Sequence, residues 1–355
     1  MKLSRSVVIA SALAGSFALA ACSGTTTTQS ASDTSASGSS SSLNVMASFY
    51  PLKYLTEEIG GDLVKVTSLT PDGAEPHDLE LSPATVDQLG KADAVVYLGS
   101  FQSAVDEAVE HNAPETVIDV AKAVQLVNVA EDGNHPAEEE EEGDATESDS
   151  HDHEADHDDA DHMASSETAE EAEHHHHHHH HHDMTTDPHF WLDPERMGQA
   201  ATAIGQALAK ADPENAQTYT SNAATVTKNM KDLSTELVDA TATCKHQTFV
   251  TAHTAFGYLA DRTGLTQVGI SGLDPESSPS PARLEEISKL VKSEGITTIF
   301  TEALIDPKVE QTLANDLGIQ TAVLDPIESQ VDSSKDYAAV MRDNITALQT
   351  ALSCK

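Results

Sequence analysis

DPENAQTYTSNAATVTKNMKDLSTELVDAT, residues 212–241, is the stretch on which the architecture turns. Asp212 is a good N-cap and Pro213 a good first helical residue, so the spacing predicts one long helix over 213–241. At about 28 residues and 1.5 Å per residue it runs about 42 Å, enough to cross the whole molecule. A shorter helix is predicted just upstream, over 194–210. On both sides short apolar strands alternate with helical patterns. Before the pair, strands are predicted at 44–49, 63–69, 94–98 and 116–119, with helices at 51–59, 83–90 and 103–111. After it, strands are predicted at 246–252, 266–270, 297–301 and 321–324, with helices at 255–263, 281–293, 307–317 and 334–352. Such alternation argues parallel sheets. The expected fold is α/β: two similar lobes with parallel sheets, joined by one long linking helix, with a cleft between them. The boundaries are an N-terminal lobe over 43–192, linking helices over 193–242 and a C-terminal lobe over 243–355.

Composition narrows the function. The chain has 355 residues, a net charge of −40, 38% hydrophobic residues and only 19 Lys and Arg, against 19 His and 3 Cys. The length suits about two domains with a real core. A polyanion binds by releasing counterions to Lys and Arg, so nucleic acid is excluded as a partner, and an anionic membrane surface is disfavoured. Three Cys are too few for a disulfide scaffold.

Two segments fall outside the α/β pattern. Lys2 and Arg5 precede a short apolar run that ends Leu19-Ala20-Ala21-Cys22. This reads as a secretory signal over 1–21, too short to span a bilayer, and its end resembles a bacterial lipobox with Cys22 as the acylated residue. Residues 22–42 are almost all Ser, Thr, Ala and Gly, a flexible tether with a reach of about 25 Å. The expectation is a lipid-anchored protein outside the cytoplasm, at the cell surface or on the periplasmic face. The second segment, 131–183, holds 21 acidic residues, no Lys or Arg and 14 His, nine of them consecutive from His174 to His182. It cannot bury a core and is expected to be a disordered insertion. His151, His153, His157, His174 and His182 with their acidic neighbours offer many weak metal sites. A mobile metal collector or sensor is one reading, a solvated acidic loop with incidental affinity the other.

Four residues carry the candidate chemistry. His77 lies in Gly73-Ala74-Glu75-Pro76-His77-Asp78 and His189 in Asp187-Pro188-His189-Phe190-Trp191. His253 and Asp325 follow apolar strands. Ligands of α/β sheets gather at the carboxyl ends of strands, where three of these four are expected. Neutral imidazoles with one carboxylate suit a borderline cation such as Zn²⁺. Each residue also has an ordinary reading: a lone loop His is a surface residue, and an Asp before Pro is a turn former or cap. Spacing alone leaves both readings open. His111 and His246, at a helix end and a strand's outer end, are left out.

The segments 73–83 (GAEPHDLELSP), 187–194 (DPHFWLDP), 253–258 (HTAFGY) and 324–327 (LDPI) resemble, in order, the four ligand segments of the cluster A-I metal solute-binding proteins of bacterial ABC transporters. The similarity runs from about Leu43 to the C-terminus and is broken only by the insertion. It implies metal ligands at His77, His189, His253 and Asp325, with two from each lobe. It further implies a long helix that limits domain closure, and a cognate ABC permease as partner. Manganese-type members generally carry Glu where this chain has His253, whereas zinc-type members such as the ZnuA proteins carry His. A third imidazole also favours Zn²⁺ over the harder Mn²⁺. The expected ligand is therefore zinc, captured outside the membrane for uptake, with manganese or iron as the alternative. Glu302 is a candidate partner behind the metal ligands or a charge at a helix start, and Glu75 shares a loop with His77. Outside the cytosol Cys244 and Cys354 can pair. Zinc-type relatives often have a disulfide to the C-terminal helix, but with its other Cys nearer the position of Thr298, which leaves this pairing open.

The competing class is a zinc hydrolase. Catalytic zinc keeps an open position, which four protein ligands would fill, and no G-x-S-x-G, H-E-x-x-H or P-loop pattern is present, so no enzyme is expected. A surface metallochaperone or adhesin is a further alternative. A monomer is expected.

Overall fold

The computed structural model describes residues 42–129 and 186–355. The signal segment, Cys22, nearly all of the tether and the insertion with His151, His153, His157, His174 and His182 lie outside the described residues.

The first lobe runs β1 (Leu43–Ala47), α1 (Tyr50–Gly60), β2 (Val64–Ser68), α2 (Pro83–Leu89), β3 (Ala94–Tyr97), α3 (Ser103–Asn112), β4 (Thr116–Asp119) and α4 (Ala121–Val124). Then come α5 (Pro194–Ala211) and α6 (Ala216–Thr241). The second lobe follows with β5 (Thr248–Thr251), α7 (Gly257–Thr263), β6 (Thr266–Gly269), α8 (Pro281–Glu294), β7 (Thr298–Thr301), α9 (Lys308–Leu317), β8 (Gln320–Val323) and α10 (Tyr337–Leu352). Both sheets are wholly parallel and share one order, β2-β1-β3-β4 and β6-β5-β7-β8. In that order the chain changes direction between the first and third strands of each sheet. Ligands of open α/β sheets bind at such switch points, beyond the carboxyl ends of the strands.

The central strands β3, β5 and β7 are buried on both faces, as parallel sheets require, whereas the edge strands β2 and β8 keep exposed residues. Alternate side chains go opposite ways: Val45, Ala47, Ala94 and Val96 enter the central core, whereas Met46 and Val95 enter a smaller cluster under α2 and α3. In the second lobe Phe249 and Phe300 face the central core, and Val250 and Ile299 an outer one. The central core is continuous through both lobes, joining Phe49 and Leu52 to Trp191, Leu233, Phe256 and Tyr337.

The long helix starts three residues later than its capping pattern predicts. Pro213–Asn215 form a 3-10 turn, and α6 then runs for 26 residues, about 39 Å. The side chain of Asp212 is otherwise engaged: Asn215 Nδ2 (2.7 Å) and Tyr219 Oη (3.0 Å) donate to Oδ2, so it does not cap the backbone. α6 packs along α5, against α1 of the first lobe, and against α7 and α10 of the second. A disulfide between Cys244 and Cys354 ties the end of α10 to the segment before β5. Arg262 of α7 holds both carboxylate oxygens of Asp193 (3.1 and 2.8 Å) across the lobe boundary. Tyr258 Oη accepts from the Val127 N–H and donates to the Asp187 carbonyl, each at 2.8 Å.

Candidate metal centre

Three of the four predicted residues meet between the lobes. His77 lies in the loop between β2 and α2, which turns at Gly73 (φ 76°), a left-handed conformation that favours glycine. His189 precedes the 3-10 turn Phe190–Leu192, whose Trp191 is anchored by Nε1 donating to the Pro326 carbonyl (2.7 Å). His253 follows β5. The fourth member of the cluster is Glu328, and the four donor atoms all lie within 4.8 Å of one another.

Asp325 does not join them. Its Oδ1 accepts the Ile327 N–H (2.8 Å), and its backbone is clasped by Asn344 on both sides, so it acts as the turn former. Ile327 takes φ 57°, a costly conformation for a β-branched residue, and the chain then presents Glu328 to the cleft. The motif as read stops one residue short of that carboxylate. A second carboxylate three residues beyond Asp325 was the available signal; the backbone reversal at Ile327 had none.

Four of the six donor separations match a tetrahedral cation, and the other two lie within 4.8 Å. Four donors about 2.1 Å from a zinc ion stand about 3.4 Å apart. Glu328 Oε1 lies 3.5 Å from His77 Nε2, 3.2 Å from His189 Nε2 and 3.4 Å from His253 Nε2. The two ring nitrogens of His189 and His253 are 3.4 Å apart. Yet His77 Nε2 and Glu328 Oε1 are buried without any hydrogen-bond partner. Buried polar atoms normally find partners, so donors crowded about one point and bonded to nothing there are an arrangement that a cation would satisfy. Aromatic rings flank two of the imidazoles: the Phe101 ring is 4.9 Å from that of His77, and the Trp191 ring 5.1 Å from that of His189.

Carboxylates stand behind two of the imidazoles. Asp187 Oδ1 is 2.7 Å from His189 Nδ1, and Glu302 Oε1 is 2.6 Å from His253 Nδ1. Glu302 also accepts the His253 N–H (3.2 Å), which fixes ring and backbone together. Such partners place the ring proton on Nδ1 and leave Nε2 to the metal. Asp187 lies inside the quoted DPHFWLDP segment, but its role was not legible there. Glu75 holds the His77 backbone N–H (2.9 Å), with Oε1 4.0 Å from His77 Nε2.

Charge follows from these neighbours. Burial holds the His77 imidazole below its ordinary value despite the pull of Glu328. Burial also opposes charge on His189 and His253, but Asp187, Glu302 and Glu328 outweigh it and raise both, His253 strongly. For Glu328 burial works upward, and the three imidazoles facing it prevail, holding it well below the carboxylate range. Burial and the Glu328 charge push Glu75 up to about 8, and burial pushes Asp325 to about 6.

Two matched parallel lobes on a long helix, closing a three-imidazole, one-carboxylate cluster between them, define a metal-binding solute-binding protein. The chain belongs to the ZnuA family, the periplasmic component A of the zinc-uptake complex, whose model matches residues 45–351. It is 32% identical over 315 residues to the zinc-binding protein AdcA of Streptococcus pyogenes serotype M3, covering 86% of this chain and 55% of the relative. Thus it spans about half the length of the curated AdcA relatives it matches. With the high-affinity zinc uptake system protein ZnuA of Bacillus subtilis the match is 28% over 350 residues, 97% of each chain. The solved structure of the laminin-binding protein Lmb of Streptococcus agalactiae, described as a bifunctional adhesin and metal transporter, superposes with a TM-score of 0.69 at 28% identity, over 88% of this chain and 100% of that one. Among the described residues no helix is long and apolar enough to cross a membrane.

Proposed function

We propose that this chain captures Zn²⁺ outside the cytoplasmic membrane, held by Nε2 of His77, His189 and His253 and by Glu328, and delivers it to an ABC permease. One observation carries the reading: the three imidazole nitrogens and one carboxylate oxygen are spaced for a tetrahedral ion, and two of the four are buried with no other partner. Zinc-binding and zinc-uptake names among the relatives support the choice of metal. Zinc is cargo here, so its release matters as much as its capture. The Cys22 anchor, the tether and the His-rich insertion belong to the same reading, as the means of holding the domain at the membrane and gathering zinc near it.

The test is a chelator-competition zinc titration of the full chain, beside a variant lacking residues 131–183 and with Mn²⁺ for comparison. One tight zinc site that survives loop removal and is lost in His253→Ala and Glu328→Ala supports the reading. Tight binding that vanishes with the loop refutes it.

A further inference from the structure

The candidate ligands are sealed: His189 and His253 are wholly buried and Glu328 is 3% exposed. An ion therefore needs a way in. One cavity adjoins the site at Glu328, and it shares Asp325 and Ala303 in its walls with a second cavity further out. The inner one, about 10 Å³, is lined by Glu75, Glu302 and Glu328 and has room for about one water-sized particle. The outer one, about 280 Å³, lies between Tyr50, Asp332 and the start of α10. Each holds a buried polar atom with no partner: Glu302 Oε2 in the inner wall and Tyr50 Oη in the outer, both residues 6% exposed. Asp325 occupies the shared wall. One of its oxygens serves the Ile327 turn, and nothing in the fold of the motif requires the carboxylate's charge.

We propose that Asp325 is a transit ligand: zinc passes from the outer pocket to Glu328 by way of the Asp325 carboxylate, which binds it weakly in passing. The inference rests on the zinc-capture reading above. It gives a function to the Leu-Asp-Pro-Ile motif that the four-donor cluster leaves unused. Oxygen donors without imidazole suit a passing cation, because they hold zinc less firmly than the nitrogen-rich cluster beyond. A charged, narrow neck also raises the local cation concentration, with effects on association of about 10-fold or more.

Trp191 is the sole tryptophan, and its ring lies 5.1 Å from that of His189, so its fluorescence reports the cleft. Stopped-flow mixing of the metal-free full chain with Zn²⁺ gives the association rate, and a chelator chase gives release. Asp325→Asn keeps the oxygen that accepts the Ile327 N–H. It is expected to slow association and release together by about 10-fold, with Kd within about 3-fold of wild type. Asp316→Asn, exposed on α9, is expected to leave both rates unchanged. Unchanged rates in Asp325→Asn overturn the inference, as does weaker binding through faster release alone, which would make Asp325 a resident ligand. Should that variant fail to fold, Ala303→Trp decides. The bulky ring at the shared wall slows both rates if this is the route, and unchanged rates overturn it. A wild-type chain with no tight zinc site refutes the capture reading itself, a result distinguishable from either.

Discussion

Zinc binding to the cleft should release protons, and their source follows from the neighbours of each donor. Asp187 and Glu302 stand 2.7 and 2.6 Å from Nδ1 of His189 and His253, with Glu328 on the far side of both rings. Against burial, these carboxylates raise both imidazoles, so in the metal-free protein both hold an extra proton at pH values below the raised range. His77 is lowered by burial and is already neutral, and Glu328 is held ionised by the imidazoles around it. Two protons must therefore leave before four donors can bind. Each costs about 1.36 kcal/mol per pH unit below its group's raised range, so affinity should weaken as pH falls through that range, by up to about 100-fold per pH unit once both imidazoles are charged. Above the raised range the dependence should flatten. The assay is chelator competition across this window, with calorimetry in two buffers of different ionisation heat to count protons directly. Glu75→Gln is run alongside, because the Glu75 carboxyl at about 8 adds its own proton when a cation arrives. In that variant a slope near zero refutes the carboxylate–imidazole argument. A slope near three refutes the claim that burial keeps His77 neutral.

The same groups govern stability without metal. His253 is raised on folding, so its contribution is fully present below about 6.5 and is lost as pH climbs through the raised value. Denaturant midpoints of the metal-free protein should fall over that range while zinc binding tightens, and a rise would contradict the assignment. Glu302→Gln keeps the shape but removes the charge behind His253, and zinc affinity measured by competition should weaken by about 10–100-fold with little change in melting temperature. Cys354→Ser opens a crosslink spanning 110 residues, so thermal unfolding should report a loss of about 2–5 kcal/mol, with zinc affinity nearly unchanged because the disulfide lies at the far end of β5 from His253.

How much of this was legible in the sequence depended on how local each determinant is. Strand–helix alternation is a local pattern, and the eight strands fall where apolar runs were read, with ends shifted by a residue or two. His77, His189 and His253 were singled out by the resemblance of their segments to the family's ligand segments, since spacing alone left a surface reading open for each. Glu328 was not, because its selection over Asp325 depends on the φ of Ile327 and on Asn344, nineteen residues from Asp325, holding the intervening backbone. The start of α6 was missed for a related reason: Asp212 is spent on Asn215 and Tyr219, a choice made by side-chain packing rather than by residue type. Glu302 left two readings open in the sequence, and only its distance to His253 Nδ1 separates them.

Release of a buried ion from such a site must come from loops rather than from parting lobes. Trp191, Phe256, Tyr258 and Tyr337 are each at most 1% exposed and belong to the core that runs through both lobes. Exposing four aromatic side chains of about 200 Å² each would cost about 20 kcal/mol, more than the about 5–15 kcal/mol that holds a whole domain folded. Hinge opening on that scale is excluded. The Gly73–His77 loop and the turn carrying Ala303 add no side chain to this core, whereas the Asp325–Glu328 turn is pinned to it by Ile327, by Trp191 and by Asn344; the Gly73–His77 loop meets the segment after that turn where Gly73 N donates to Ser329 Oγ (2.7 Å). The Gly73–His77 loop is held by that bond and by Gln102 Nε2 donating to the Pro76 carbonyl (3.0 Å), each of about 1 kcal/mol, a small barrier beside the core. Zinc-free and zinc-loaded structures should therefore superpose in their sheets and helices and differ in that loop. His77, the donor that the Gly73–His77 loop carries, has a binding atom with no other partner, so the site should come apart first on that side.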